Sequence, residues 1–120
     1  MKAMKYMGPR RVRVEDAPEP IIEHPMDVIV KVKSACICGS DLHIYHGRIP
    51  GMRDGDILGH EFMGIVEETG AGVTRVKAGD RVVIPFVIAC GTCFHCQLHE
   101  YAACETTNSG PGAAMNPRCG

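Results

Sequence analysis

The stretch GHEFMGIVEETGAGV, residues 59–73, decides the fold prediction. From Glu61 to Thr69 it is apolar enough for a β-strand, and Gly70 to Gly72 closes that strand with a turn. A polar pair, His60 and Glu61, stands at the start of the apolar run. The stretch therefore predicts a strand that is bounded by a glycine-rich turn and carries two titratable side chains at its beginning.

Further short strands are predicted on both sides of this stretch. Val12 and Val14 alternate with charged residues, and residues 27–36 alternate at Val28, Val30 and Val32. Residues 81–86 follow a turn at 78–80. This spacing predicts half-buried strands. The glycines (14) and prolines (8) are scattered as turn signals between these runs, so the chain is predicted to be mainly β.

Helices are predicted to be short. No 12-residue amphipathic helix stands out, and only residues 38–46 suggest a helix, with Ser40 or Asp41 near its start. Cys36 continues the strand alternation and is predicted to be buried as a small hydrophobic residue. Residues 108–120 are predicted to be loop.

Composition bounds the function. A chain of 120 residues with 45% apolar residues makes one domain with a hydrophobic core. The net charge of −1 and the lack of a basic cluster argue against a nucleic-acid partner. No apolar run approaches the roughly 20 residues that span a bilayer, and the N-terminus lacks the apolar stretch of a signal peptide. A cytoplasmic protein is predicted, without a membrane partner.

Four of the seven cysteines form a metal-ligand pattern: Cys90-x2-Cys93-x2-Cys96-x7-Cys104. An odd number of cysteines argues against a closed disulfide framework. Zn²⁺ favours four thiolates in a closed tetrahedron, which leaves no open position and makes such a site structural. The pattern therefore predicts a zinc-binding lobe.

Two alternatives to zinc remain open for this lobe. An iron–sulfur cluster also takes four cysteines, although its common bacterial run has x3 before the last cysteine and then a proline. The thiols could also be unbound. His95 and His99 lie within the lobe and are predicted to be exposed and not to bind metal.

A second group of polar residues lies upstream: Cys38-x-Ser40-Asp41-x-His43, followed by Gly59-His60-Glu61-x2-Gly64-x5-Gly70-x2-Val73. The second of these motifs resembles the signature of the zinc-containing medium-chain alcohol dehydrogenases. The first motif and the lobe stand in that family's order and spacing, so the resemblance covers essentially the whole chain. Pro85-Phe86, Ala89-Cys90-Gly91 and Asn116–Cys119 resemble the branch of glutathione-independent formaldehyde dehydrogenases.

The resemblance implies an irregular, GroES-like, partly open β-barrel with a projecting zinc lobe. It also implies that Cys38 and His60 hold a catalytic zinc, which acts as a Lewis acid towards an alcohol. Asp41 would orient the His60 ring. Ser40 would take the alcohol proton and pass it through cofactor hydroxyls to His43. Glu61 would lie behind the zinc and enter its coordination sphere during ligand exchange.

Two parts of the family pattern have no match in the sequence. The third ligand of the catalytic zinc is missing after Cys104, because Cys119 comes too early. No dinucleotide-binding (Rossmann) fingerprint is present, since Gly70-x-Gly72 and Gly110-x-Gly112 are not followed by the third glycine and helix that a pyrophosphate site needs. Residues 1–120 are therefore predicted to be a truncated GroES-like catalytic domain.

The predicted function is that of an NAD(P)- and zinc-dependent oxidoreductase domain. The parent enzyme would transfer hydride between NAD(P) and a small alcohol or aldehyde, including formaldehyde-class substrates, and would be a homo-oligomer. The chain alone would be inactive. The alternative is a stand-alone zinc-binding or interaction module without catalysis, which a stable folded monomer and a stop codon after Gly120 would favour.

Overall fold

The computed structural model describes residues 1–107 and contains five strands and three short helical segments in them. The predicted loop at 108–120, with Cys119 and the branch motif at 116–119, lies outside the described residues. In chain order the elements are β1 (Lys2–Tyr6), β2 (Val12–Asp16), β3 (Val28–Ala35), α1 (Gly39–Tyr45), β4 (Phe62–Thr69), β5 (Arg81–Ile84), α2 (Phe94–Gln97) and a 3₁₀ helix (Tyr101–Ala103). The chain divides into two compact units, Met1–Ile84 and the part that begins at Pro85.

The first unit contains two antiparallel sheets. β1 pairs with β2, with Lys2 opposite Asp16 and Tyr6 opposite Val12. The second sheet has the order β3-β4-β5, so β4 is its central strand. The prediction of a mainly β domain with short helices is confirmed. A partly open barrel was predicted, and in residues 1–107 the two sheets are open.

The central strand β4 is the one predicted from residues 61–69, and its close approach to β3 depends on a glycine. A Cβ added at Gly64 would overlap the carbonyl oxygen of Lys31 in the neighbouring strand. Only glycine therefore fits at this position of the β3–β4 pair. The core of the unit includes Val66 of β4, which is 1% exposed, together with Ala3, Tyr6 and Ala17.

The predicted alternation in β3 is only partly correct. Val30 is half-buried, but Val32 is 52% exposed. The register shifts between Ile29 and Val30 and again between Val32 and Ser34, so an extra residue interrupts the ladder at each place. In β3 itself the extra residue is Lys33, so the side chains that follow it change face and a strict period of two does not hold past Val32.

The prediction that Cys36 is buried is wrong, since it is exposed. Cys36 comes after the extra residue between Val32 and Ser34, so the alternation of Val28, Val30 and Val32 does not carry over to it. Strand β1 was missed, because the segment MKAMKY lacks an alternating apolar pattern.

The second unit, over its described residues 85–107, contains α2 and the 3₁₀ helix. Both are shorter than two helical turns and were not predicted. Its buried side chains are Cys96 at 3% exposure and Cys104 at 0%. Phe86, Ile88 and Phe94 are each more than 60% exposed. Among residues 85–107, the buried side chains are therefore those of cysteines and not of hydrocarbon residues.

No helix in residues 1–107 has the length and hydrophobicity needed to cross a membrane.

Candidate metal centres

The first candidate site is positioned by the pairing of β3 with β4. Ala35, the last residue of β3, lies opposite Phe62, the first residue of β4. Beyond this pair, the amide of Cys36 donates a hydrogen bond to the carbonyl of Glu61, with an N–O distance of 3.0 Å. The segment that enters α1 and the segment that enters β4 are therefore neighbours, which brings two distant sequence motifs together.

Three potential metal ligands meet at this point. One ligand atom from each of Cys38, His60 and Glu61 lies within 4.8 Å of the other two. All three side chains are half-buried. The hydroxyl of Ser40 lies 3.0 Å from Nε2 of His60. A thiolate, an imidazole and a carboxylate are the donor types that bind Zn²⁺ in open protein sites.

Asp41 contacts both motifs through its two carboxylate oxygens. Its Oδ2 accepts a hydrogen bond from the backbone amide of Cys38 at 2.8 Å. Its Oδ1 lies 3.3 Å from Nδ1 of His60 and is buried, although the geometry of that contact is not that of a hydrogen bond. The carboxylate therefore faces one ring nitrogen of His60 while Ser40 faces the other.

The electrostatics of the site favour a charged pair. Hydrogen bonds from the side chain and backbone of Ser40, and then one from His60, lower the pKa of the Cys38 thiol. The hydrogen bond to Cys38 and the charge of Asp41 raise the pKa of His60, against the opposing effect of burial. Cys38 is thus poised as the thiolate that a metal ion requires.

His43 lies on α1 three residues after Ser40. Side chains at this spacing share one side of a helix. The His43 side chain is exposed to solvent. The structure brings Cys38, Ser40, Asp41, His60 and Glu61 into one cluster and leaves His43 at its periphery.

The second candidate site lies in the unit that begins at Pro85. The sulfur atoms of Cys90, Cys93, Cys96 and Cys104 all lie within 4.8 Å of one another. The sulfurs of Cys93 and Cys104 are 3.9 Å apart. Four sulfurs placed 2.3 Å from one ion in a tetrahedron are about 3.8 Å apart, and a disulfide is about 2.05 Å long. The spacing fits a metal ion and excludes a disulfide between these two residues.

Backbone amides surround two of these sulfurs. The amides of Thr92 and Cys93 approach Cys90 Sγ at 3.5 and 3.3 Å, and the amide of Cys90 approaches Cys104 Sγ at 3.3 Å. Gly91 has a φ of 76°, a value that favours glycine, and it allows the chain to turn around Cys90. These amide donors were not predicted, because a backbone group leaves no mark in the sequence pattern.

The thiols of this cluster differ in pKa, and one of them would need a nearby positive charge in order to ionise. Hydrogen bonds, the largest from Thr106, lower the pKa of Cys90 to about 5. Those from Thr107 and the Cys90 amide lower the pKa of Cys104 to about 7. Burial raises the pKa of Cys96 to about 12. A metal ion would supply the positive charge that the buried Cys96 needs in order to ionise.

The two histidines of this unit have other partners. His95 Nδ1 lies 3.0 Å from a carboxylate oxygen of Glu100, and His99 Nδ1 lies 2.9 Å from the hydroxyl of Tyr101. His99 is exposed as predicted, and His95 is half-buried. Neither belongs to the four-sulfur cluster.

Comparison with known proteins decides the family. A sequence model of the alcohol dehydrogenase GroES-like domain matches residues 24–117. The chain belongs to this family. A relative of this GroES-like domain, the uncharacterized zinc-type alcohol dehydrogenase-like protein AdhB of Bacillus subtilis, is 55% identical over 108 residues, which is 90% of this chain and 29% of that protein. The glutathione-independent formaldehyde dehydrogenase of Pseudomonas aeruginosa is 40% identical over 113 residues, 89% of this chain and 28% of that enzyme.

Solved structures agree with this assignment to the alcohol dehydrogenase GroES-like domain. Alcohol dehydrogenase TADH from Thermus sp. ATN1 has a TM-score of 0.83 and 50% identity, with 88% of this chain and 30% of that chain covered. An Escherichia coli CFT073 alcohol dehydrogenase in complex with NADH has a TM-score of 0.69 and 36% identity, with 87% and 30% covered. The chain thus spans less than a third of the length of each of these four relatives. The predicted family is confirmed, and formaldehyde dehydrogenases are among its relatives.

Proposed function

We propose that residues 1–120 are the GroES-like catalytic domain of a zinc- and NAD(P)-dependent alcohol dehydrogenase. The observation that carries this proposal is the cluster of Cys38, His60 and Glu61 ligand atoms within 4.8 Å, with the Ser40 hydroxyl 3.0 Å from His60. A ligand set with a hydroxyl beside it suits a metal that polarises an alcohol. The nicotinamide cofactor would be bound by other parts of a longer polypeptide.

In this proposal Cys38 and His60 hold the catalytic zinc, and Glu61 stands close enough to replace a departing ligand. The zinc supplies Lewis acidity that makes an alcohol easier to deprotonate. Asp41 holds the site together, because it binds the Cys38 backbone and lies beside Nδ1 of His60. The ring then presents Nε2 to the site.

The proton of the alcohol goes first to Ser40. Its Oγ already lies beside Nε2 of His60, so a substrate held at these ligands would come within reach of the hydroxyl. His43 would accept the proton at its imidazole and release it to solvent. A nicotinamide cofactor, when bound, would accept the hydride from the alcohol carbon, so one proton and one hydride would account for the two hydrogens lost.

The four-sulfur cluster holds a second zinc that has a structural role. Its sulfur spacing matches a closed tetrathiolate site, and all four coordination positions are filled by protein. We infer that this ion replaces a hydrocarbon core, because Cys96 and Cys104 are the buried side chains among residues 85–107.

The finer assignments rest on the relatives. A formaldehyde-class substrate is supported by 40% identity to a formaldehyde dehydrogenase, and NAD(P) by the NADH held in the E. coli structure. We propose a cytoplasmic, homo-oligomeric enzyme, since unpaired thiols at metal-ligand spacing suit a reducing compartment.

The activity is tested in a chimera that joins residues 1–107 to the remaining part of the Thermus enzyme, to which this chain is 50% identical. The chimera is expected to oxidise small alcohols with formation of NAD(P)H. Ser40→Ala is expected to lower kcat on the order of 10²-fold, because a positioned proton acceptor is lost. Ser34→Ala, an exposed serine on β3, is the matched control and is expected to leave kcat unchanged. A Ser40→Ala chimera with full activity would contradict the proton path.

Metal analysis separates this proposal from a stand-alone zinc-binding module. A dehydrogenase domain is expected to bind two zinc ions per chain at saturation, and a module with only the lobe would bind one. The chain alone is expected to show no turnover. Saturation at one zinc would count against a metal at Cys38 and His60.

A further inference from the structure

The segment between β3 and α1 contains a second thiol that the proposed metal site does not use. Cys36 and Cys38 are separated only by Ile37, which is 82% exposed. Cys36 itself is exposed, and Cys38 is half-buried. A solvent-accessible thiol therefore stands two residues from a proposed metal ligand.

The backbone hydrogen bond that continues the β3–β4 pairing at Cys36 is expected to place its side chain on the same face as that of Glu61. Cys36 lies opposite Glu61 and donates its amide to the Glu61 carbonyl at 3.0 Å. Opposite residues in antiparallel pairs carry their side chains on one face, about 4.5–5.5 Å apart at Cβ. A carboxylate oxygen of Glu61 also lies within 4.8 Å of the Cys38 sulfur. Both thiols are therefore neighbours of the Glu61 side chain.

The backbone between the thiols has a length that a disulfide can accept. Residues i and i+2 of an extended chain point to the same side and are about 6.6 Å apart at Cα. Disulfides accept Cα separations of about 4.4–6.8 Å. Residues 36–38 belong to no helix or strand, so a small bend at the exposed Ile37 can shorten the separation without breaking a ladder hydrogen bond inside β3.

We propose that Cys36 and Cys38 form a reversible disulfide when the protein meets a hydroperoxide. The exposed Cys36 thiol attacks the peroxide, becomes a sulfenic acid and releases one molecule of water or alcohol. The Cys38 thiol then attacks the Cys36 sulfur, and the sulfenic oxygen leaves as water. Two thiols are oxidised by two electrons, and one peroxide bond is reduced.

The consequence is that oxidation and metal binding compete for one sulfur atom. A Cys38 tied to Cys36 has no thiolate to offer a metal, and a metal-bound Cys38 cannot resolve the sulfenic acid. This consequence rests on the proposed function, whereas the disulfide itself does not. Bond formation and metal protection are therefore measured separately.

Trypsin provides a clean measurement. Cleavage after Lys33 and Arg48 releases a peptide, residues 34–48, with these two cysteines and no other, while the four lobe cysteines lie together in residues 82–118. Protein with one zinc per chain is treated with hydrogen peroxide, free thiols are alkylated, and the digest is analysed by mass spectrometry. More than half of peptide 34–48 is expected to lose two hydrogens and carry no alkyl group. Dithiothreitol is expected to restore both alkylation sites.

The control variant is Cys36→Ser, which is expected to abolish the two-hydrogen loss and leave Cys38 alkylatable. Protein that holds two zinc ions per chain is expected to form the disulfide at least tenfold more slowly. If peptide 34–48 keeps two free thiols, or gains oxygen on Cys36 alone, the inference is overturned, and zinc protection of Cys38 from alkylation would leave the proposed function standing. If the disulfide forms equally fast with two bound zinc ions, Cys38 is not a metal ligand and the proposed function fails instead.

Discussion

At the scale of single residues, Asp41 contacts both of the segments that form the first candidate site. One carboxylate oxygen fixes the backbone at Cys38, and the other, buried, stands 3.3 Å from His60. Cys38 and His60, the two proposed ligands, are 22 residues apart in sequence. The pairing of β3 with β4 brings the two segments together, and the Asp41 side chain contacts both of them.

Asp41→Ala is expected to weaken zinc binding at Cys38 and His60 by about 10–100-fold, because carboxylates behind a metal-bound histidine orient its ring. The measurement is chelator competition on the zinc-loaded chain, which resolves a weak and a tight ion. The tight ion of the four-sulfur cluster is expected to be unaffected.

Asp54→Ala is the matched control, since Asp54 is an exposed carboxylate in the same unit. It is expected to leave both zinc affinities unchanged. Equal losses in the two variants would show that Asp41 acts through overall charge and not through its contacts.

At the scale of elements, the β3–β4 pair positions the site, and its closest approach is at Gly64. Any side chain at Gly64 would meet the Lys31 carbonyl. Gly64→Ala is expected to lower the free energy of unfolding by about 1–3 kcal/mol, the usual effect of overpacking. It is also expected to weaken zinc binding at Cys38 and His60. Chemical denaturation with a β-sheet probe measures this loss.

Gly39→Ala is the control for that substitution, because a Cβ at Gly39 meets nothing within 4 Å. At the start of α1 it is expected to change stability by no more than about 1 kcal/mol, in the stabilising direction. A Gly64→Ala chain as stable as Gly39→Ala would show that the two strands can separate slightly at no cost.

A second element-scale feature is the turn that leads into β3. The Asp27 carboxylate accepts the backbone amides of His24 and Glu23 at 2.7 and 2.9 Å, which lowers its pKa below 3.8. Because the folded pKa is depressed, the stabilisation is present above the unfolded pKa and is lost as pH falls through the folded one. A ¹³C NMR titration of this carboxyl is expected to have its midpoint below 3.8.

The same turn is tested by mutation. Asp27→Ala is expected to lower Tm at pH 7, and the difference from wild type is expected to shrink below about pH 4. Asp27→Asn keeps an acceptor oxygen without the charge, so it is expected to lose less stability than Asp27→Ala at pH 7. Its deficit relative to wild type is also expected to shrink at low pH, because the wild-type carboxylate loses its charge there. A pH-independent deficit in Asp27→Ala would rule out the charged form as the stabilising species.

The elements also show how far the sequence could be read. Five elements were predicted because turn residues or an apolar run mark their positions in the sequence: β2, β3, β4, β5 and α1. The burial of Cys36 was predicted wrongly, because a strand pattern does not reveal where pairing stops or where a bulge changes faces. The four lobe cysteines were found from spacing alone. Cys38 and His60 needed a family resemblance, because only β3–β4 pairing makes them neighbours.

At the scale of the whole molecule, the two units differ in what fills them. The first has Val66, Tyr6 and two alanines as its buried side chains, and two sheets tie it together by backbone hydrogen bonds. The described part of the second buries Cys96 and Cys104. Metal removal should therefore affect the two units very differently.

Chelation of zinc is expected to unfold residues 85–107 while β3 and β4 keep their hydrogen bonds. Structural zinc is worth on the order of 10 kcal/mol in small zinc modules, more than so small a unit can replace. Amide hydrogen exchange with and without chelator measures this. Loss of protection throughout Met1–Ile84 would contradict the expectation that each unit has its own source of stability.

Cys93→Ser is expected to reproduce the chelated state in the second unit and to remove about one zinc per chain. Cys36→Ser is the matched control, because it is a cysteine of the other unit that belongs to neither candidate ligand set. Full zinc content in Cys93→Ser would show that the four sulfurs do not bind one ion.

The sulfur-filled interior of the second unit has a consequence for which mutations the protein tolerates. Ordering each residue costs about 1–2 kcal/mol of conformational entropy, and the exposed Phe86, Ile88 and Phe94 offset little of it by burial. Substitution of most side chains in this segment is therefore expected to cost little folding free energy. Replacement of any one of the four cysteines is expected to leave the whole segment unfolded. Selection on such a segment is expected to act mainly on the four cysteines and on Gly91, whose φ of 76° favours glycine.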